Sequence, residues 1–128
     1  MTLLLLSAAL GSATLNLEQM VAPSQLENIH VTPLSSSKDA SQFLIFIKES
    51  VPLHIHKEHS EMVYIIDGEG QMTLGDKTFS VKKGDFIKVD ENTPHGVTVT
   101  SDKPLKVLST QTPEYFGKDK HLVEHEKH

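Results

Sequence analysis

The chain contains no cysteine, no tryptophan and no arginine, and all 12 of its basic residues are lysine. Without cysteine, a disulfide scaffold, a thiolate zinc site and a cysteine nucleophile are excluded. Without arginine, so is the planar fork that clamps carboxylates and phosphates in two-pronged fashion. Positive charge is scarce altogether: 12 basic residues face 17 acidic ones, for a formal net charge of −5. That balance argues against a nucleic-acid partner, since phosphate neutralisation needs basic surface. No apolar run reaches the roughly 20 residues of a membrane span. At 128 residues there is room for one domain with a real core and not for two. Against these absences stand eight histidines. That surplus asks for an explanation.

The ends of the chain are read first. Leu3 to Leu10 form an apolar run followed by Gly11, Ser12 and Ala13. Residues 1–13 resemble a short export signal with a small-residue cleavage site, although no basic residue precedes the run. The expectation is a periplasmic or secreted protein, with a cytoplasmic one as the alternative. At the other end His121, His125 and His128 lie in a charged segment expected to be a solvated tail.

Between residues 28 and 112 no sustained 3.6-residue period appears, and short β-rich runs alternate with turn residues. The runs are Gln42–Lys48, Pro52–His56, Met62–Asp67, Gln71–Leu74, Thr78–Val81, Asp85–Val89, His95–Thr100 and Pro104–Thr110. Asp67–Gly70 and Gly75-Asp76 read as hairpin turns, Lys82–Asp85 as a further turn, and Ser35–Asp39 as a polar loop. Such spacing predicts an all-β sandwich or barrel. In the first run Phe43, Ile45 and Ile47 alternate with Leu44 and Phe46. A strand apolar on both faces must be covered on both, by the barrel interior and by a second sheet or subunit.

His54 and His56 flank Ile55 in one of these runs, so their imidazoles share a face about 6.6–6.8 Å apart along the strand. Glu61 opens the next run, on the face that carries Val63 and Ile65. A tight antiparallel connection would bring it level with the histidines. Its carboxylate would enter an apolar interior, which is costly without a cation. His95 begins a run on the same face as Val97 and Val99. Imidazoles and a carboxylate together suit one divalent transition metal: iron, manganese, nickel, copper or zinc.

The pattern His54-x-His56-x4-Glu61-x6-Gly68 resembles the first motif of the cupin superfamily, and Gly84-x10-His95 resembles the second. The resemblance covers residues 41–112, and Thr112–Asp119 resembles the C-terminal edge of small single-domain cupins. It implies a double-stranded β-helix, the jelly-roll barrel, with a metal held at its mouth by His54, His56, Glu61 and His95. Residues 14–40 would then be an N-terminal strand or strands and a loop, and residues 113–128 a tail. The resemblance also implies a homodimer paired through an outer sheet, with Met62, Tyr64 and Ile66 as core or contact residues. Four positions depart from the motifs: Lys48 and Asn92 stand where Gly is usual, Asp90 replaces Pro, and Val99 replaces Asn. None is a ligand position, though Asp90 adds a carboxylate near the rim.

The expected function is a metal-dependent enzyme acting on a small organic molecule, of the dioxygenase, isomerase or lyase type. Among these the dioxygenase is favoured. The alternative is a non-catalytic module that binds or senses a small molecule or metal. His59 is a weak candidate for a catalytic acid or base, and a solvated loop position is the more ordinary reading beside Lys57 and Glu58. His30 reads as surface.

Overall fold

A computed structural model describes residues 14–124. The proposed export segment, His125 and His128 lie outside the described residues. Ten strands and one 3-10 turn (Leu17–Gln19) are present, and none of the described residues is in an α-helix. The strands are β1 (Ile29–Ser37), β2 (Ala40–Ile47), β3 (Ser50–Ile55), β4 (Ser60–Asp67) and β5 (Glu69–Leu74). They continue as β6 (Lys77–Lys82), β7 (Phe86–Val89), β8 (His95–Val99), β9 (Leu105–Thr112) and β10 (His121–Leu122). Two antiparallel sheets result, ordered β1-β2-β9-β4-β7 and β10-β3-β8-β5-β6. This is the expected double-stranded β-helix.

Alternation along each strand decides what lies inside. On β4, Glu61, Val63 and Ile65 are buried while Tyr64 between them is 43% exposed. Inward residues of both sheets, among them Ile47, Val63, Ile65, Met72, Val81 and Val107, form one continuous core. The outward face of β2 is apolar as well, and the chain covers it itself. Leu44, Phe46 and Ile66 form a second cluster packed under Leu17, Met20, Ala22 and Leu26 of the N-terminal segment. Burying each such side chain contributes roughly 1.5–3 kcal/mol. The Lys106 ammonium pins the cover by donating to the Met20 carbonyl at 2.6 Å. Ile66 is therefore core, and Tyr64 faces outward.

The corners differ from their expected form. Gly75-Asp76 does join a hairpin, β5 to β6. Asp67–Gly70 does not, because β4 and β5 belong to different sheets and the chain crosses between them at Gly68. Gly68 has φ +85°, and a Cβ there would lie 2.6 Å from the Pro104 carbonyl oxygen. Lys82–Asp85 likewise carries the chain from one sheet to the other. The connection from β3 to β4 is also a crossing, so Glu61 faces the histidines across the barrel instead of beside them. A tight turn and a sheet-to-sheet corner use the same Gly and Asp chemistry, which is why alternation alone does not separate them. Ser35–Ser37 lie in β1 beyond a bulge, leaving only Lys38-Asp39 as the turn.

Two motif departures find a physical reading. Asn92 has φ +61°, the left-handed conformation that Asn tolerates best after Gly. Asp90 is exposed and paired with Lys88 at 2.6 Å, on the surface.

Candidate metal centre

His54 on β3 stands directly across from His95 on β8, and His56 follows one residue past the end of β3. The ring centroids lie 4.1 Å apart for His54 and His95, 4.9 Å for His54 and His56, and 5.0 Å for His56 and His95. Each imidazole can place one nitrogen within 4.8 Å of the others'. Glu61 reaches in from the opposite sheet, its Oε1 3.4 Å from His56 Nε2 and 3.2 Å from His95 Nε2. All four side chains are buried.

The outer nitrogens decide the tautomers. Nδ1–H of His54 donates to the Pro52 carbonyl at 2.8 Å, that of His56 to the Asp119 carbonyl at 2.7 Å, and that of His95 to the Thr93 carbonyl at 2.9 Å. A neutral imidazole that donates through Nδ1 keeps a lone pair on Nε2. The three rings thus turn lone pairs toward one region beside a carboxylate. The Glu61 carboxylate is held in turn by the Ser109 hydroxyl, which donates to Oε2 at 2.5 Å.

Electrostatics agree with a site built for a cation. Burial, together with the neighbouring His95, lowers the His54 pKa to about 4, so this ring is neutral at pH 7. Burial alone would raise the Glu61 pKa. Hydrogen bonds from His56, His95 and Ser109 outweigh it and hold the group well below the usual carboxylate range. Burial would lower His56, but its contact with Glu61 dominates and raises it. The donor set of imidazole nitrogens and one carboxylate fits a borderline divalent ion.

One residue missed by the sequence reading organises the surroundings. Asp119 is 9% exposed and accepts from five groups. Its carbonyl orients His56. Its carboxylate takes the Lys57 and Glu58 amides at 3.0 and 2.8 Å, His59 Nδ1 at 2.7 Å and His121 Nε2 at 3.1 Å. Residues after Thr112 thereby strap the mouth of the barrel, and β10 adds to the edge of β3. His121 is a strand residue held by Asp119, not part of a solvated tail. His59 is buried instead of solvated, and it does not join the three rings. Its Nδ1 meets Asp119 and its Nε2 meets the Glu114 carbonyl at 2.9 Å. Two acceptors on one ring call for the doubly protonated form. Burial opposes that form, yet Asp119 and the Glu114 carbonyl raise its pKa.

The four residues line a cavity of about 560 Å³. Its walls are mostly aliphatic, with Ile45, Val63, Val97 and Val107 among them, and Tyr115, Phe116 and Lys120 of the strap line it too. Ser109 and Gln111 also escaped the sequence reading. Their signal was present, since they continue the inward alternation of Leu105 and Val107 as polar residues.

A family model for the cupin domain matches residues 44–111. The chain is a cupin. An uncharacterized protein of Methanocaldococcus jannaschii is 40% identical to this cupin over 72 residues, 56% of this chain and 58% of that protein. The cupin thus spans less than two thirds of that relative's length. The L-ectoine synthase of Halomonas elongata is 34% identical over 96 residues, 70% of the cupin and 69% of the synthase. Among solved structures, a double-stranded β-helix protein from Klebsiella pneumoniae superposes with a TM-score of 0.74 at 18% identity. That match covers 89% of the cupin and 99% of the other chain, and it shows the fold alone.

Proposed function

We propose that the chain binds one divalent transition metal through His54, His56, Glu61 and His95, and that it acts as an enzyme on a small organic molecule held in the cavity. The reaction class is dioxygenase, isomerase or lyase. The observation that carries this reading is the set of three Nδ1–H bonds to backbone carbonyls, which leaves the three Nε2 atoms to gather beside the Glu61 carboxylate in the wall of an apolar cavity. A bound metal supplies Lewis acidity toward a ligand oxygen. The chain's own groups do the rest. Glu61 offsets the metal's charge, Ser109 fixes the carboxylate, and the aliphatic walls keep water from the ligand. Similarity to an L-ectoine synthase supports the enzymatic side.

The test is elemental analysis of protein purified without a nickel column. About one equivalent of metal is expected in the wild type, and none in a His54→Ala, His56→Ala double variant. Equal metal in both, or none in the wild type, ends the reading. Iron or copper favours the dioxygenase. Zinc favours the isomerase, the lyase or a binding role.

A second reading, a non-catalytic binding module, has an observation of its own. The candidate acid–base His59 has both nitrogens committed to Asp119 and Glu114, so the cavity borrows no proton from it. Failure of the metal-loaded protein to turn over any of a panel of small oxygenated substrates, with binding intact, would favour this reading. We also propose a homodimer, supported by the exposed Ile29 and Val31 on edge strand β1. Sedimentation of the intact chain tests it, and a 14.2 kDa monomer would refute it.

A further inference from the structure

Gln111 stands on β9 between Ser41 of β2 and Glu61 of β4. It lines the cavity and is 6% exposed. Its Oε1 is buried and has no hydrogen-bond partner among the described residues. Directly opposed strand residues have Cβ atoms about 4.5–5.5 Å apart, so the Gln111 side chain leaves β9 beside that of Glu61, and both line the cavity that the three imidazoles line.

The nearby hydroxyls are committed elsewhere. Ser109 donates to Glu61. Ser36 donates to Glu114 Oε2 at 2.9 Å, so in the Ser36–Ser41 contact at 2.8 Å it is Ser41 that donates. The Tyr115 amide fills an acceptor position on Ser41 at 2.9 Å. None of these hydroxyls donates to Gln111. A buried acceptor without a donor costs stability, and where one persists a role for it is to be sought.

We propose that Gln111 is a ligand-recognition residue, and that the cavity takes a molecule with an apolar body whose metal-directed oxygen is flanked by a hydroxyl or amino group. The hydrogen of that neighbouring group is accepted by Gln111 Oε1 once the carboxamide turns that oxygen from its buried position toward the cavity, while the aliphatic walls hold the body. This inference rests on the metal reading of the site. It adds a demand on the ligand, a donor beside the coordinating oxygen, which the imidazoles and Glu61 do not impose.

The experiment compares wild type and Gln111→Met, both loaded with zinc so that the probes are not oxidised. Catechol and guaiacol are titrated calorimetrically. They share an aromatic body and a phenol, and guaiacol has the neighbouring hydrogen replaced by methyl. Catechol is expected to bind wild type roughly five- to tenfold more tightly, the worth of one hydrogen bond. In Gln111→Met that preference falls below about twofold, with zinc stoichiometry unchanged. The metal-free variant melts at or above the wild-type temperature, because an orphan acceptor has been replaced by an apolar group of similar length.

An equal preference in both proteins would mean that chelation alone selects catechol, and it overturns the proposal. So does the absence of any preference in wild type. A melting temperature several degrees lower in both Gln111→Met and Gln111→Leu would show that the carboxamide is used within the fold, which also overturns it. Absence of zinc from wild type defeats the metal reading and this proposal together. Zinc retained with an unchanged preference defeats this proposal alone.

Discussion

Four buried histidines lie close together in this barrel, and their hydrogen bonds divide them three to one. His54, His56 and His95 each spend Nδ1 on a backbone carbonyl and keep Nε2 turned inward. His59 spends both nitrogens on acceptors, the Asp119 carboxylate and the Glu114 carbonyl. Burial is alike in both groups and the residue type is the same. What separates a ligand from a strut is what the second nitrogen meets: for His56 and His95 the shared Glu61 carboxylate, for His59 a backbone carbonyl. The first group offers lone pairs to a cation. The other already carries its positive charge as a proton.

The largest expected effect follows from removing a member of the inward group. His56→Ala deletes a ligand nitrogen and frees Glu61, so metal content after dialysis should fall below detection, while His59→Gln retains about one equivalent. Retention by both variants would erase the distinction drawn between them. The next effect belongs to the link between the groups. Asp119→Ala leaves the His59 imidazolium and two backbone amides without their acceptor, which should cost about 3–5 kcal/mol in urea unfolding. Loss of a group that orients a ligand also weakens metal affinity by about 10–100-fold. Because the contact to His56 comes from the Asp119 backbone, affinity should drop only as far as the strap loosens. Asp119→Asn is expected to fall between the alanine variant and wild type on both measurements.

Within the metal-free protein His54 and His59 should respond oppositely to pH, and His56, raised by its contact with Glu61, falls on the side of His59. His54 has a folded pKa of about 4 against an unfolded 6.5, so the unfolded chain binds its proton first and stability falls as pH drops through that window. Depressed pKa values of Glu61 and Asp119 add a further loss below the normal carboxylate range, near pH 4. His59 runs the other way. Its raised pKa gives stability that is complete below 6.5 and lost as pH climbs through the folded value. Urea midpoints measured from pH 4 to 9 should show the acid-side slope reduced in His54→Gln and the alkaline-side slope reduced in His59→Gln. Reduction of the same limb by both variants would contradict the assignment of charge.

The inward group was legible in the sequence because it rests on local rules. His54, His56 and His95 show their facing through strand alternation, and Glu61 announces itself as a charge in an apolar stripe. Asp119 was not legible. It meets His56 from 63 residues away, through a strap whose own residues have no strong period. The burial of His59 depends on that same strap, and its neighbours Lys57 and Glu58 point to solvent when read alone. The crossing from β3 to β4 was hidden for a different reason. Hairpin and corner share turn residues, and only the pairing of β3 with β8 and of β4 with β9 distinguishes them. Facing is a property of one strand. Partnering is a property of the sheet.

The smallest expected effect tests whether the second motif's loop bears on either group. Asn92 holds φ +61° just before the strand that carries His95, and its amide donates to the His56 carbonyl at 2.7 Å. The bond thus ties this loop to the residue after β3. Asn92→Gly keeps the amide and relaxes the left-handed strain, at the cost of a freer unfolded chain. The two terms are each about 0.4–1 kcal/mol and oppose one another. Unfolding midpoints should therefore agree within about 0.5 kcal/mol and metal content should not change. Asn92→Ala retains the amide but meets the steric penalty of a Cβ in that conformation, roughly 1–2 kcal/mol. If the alanine variant loses metal in proportion to that destabilisation, the loop positions His56 through its backbone. If stability falls and metal stays, the loop supports the fold alone, and His56 owes its orientation to Asp119.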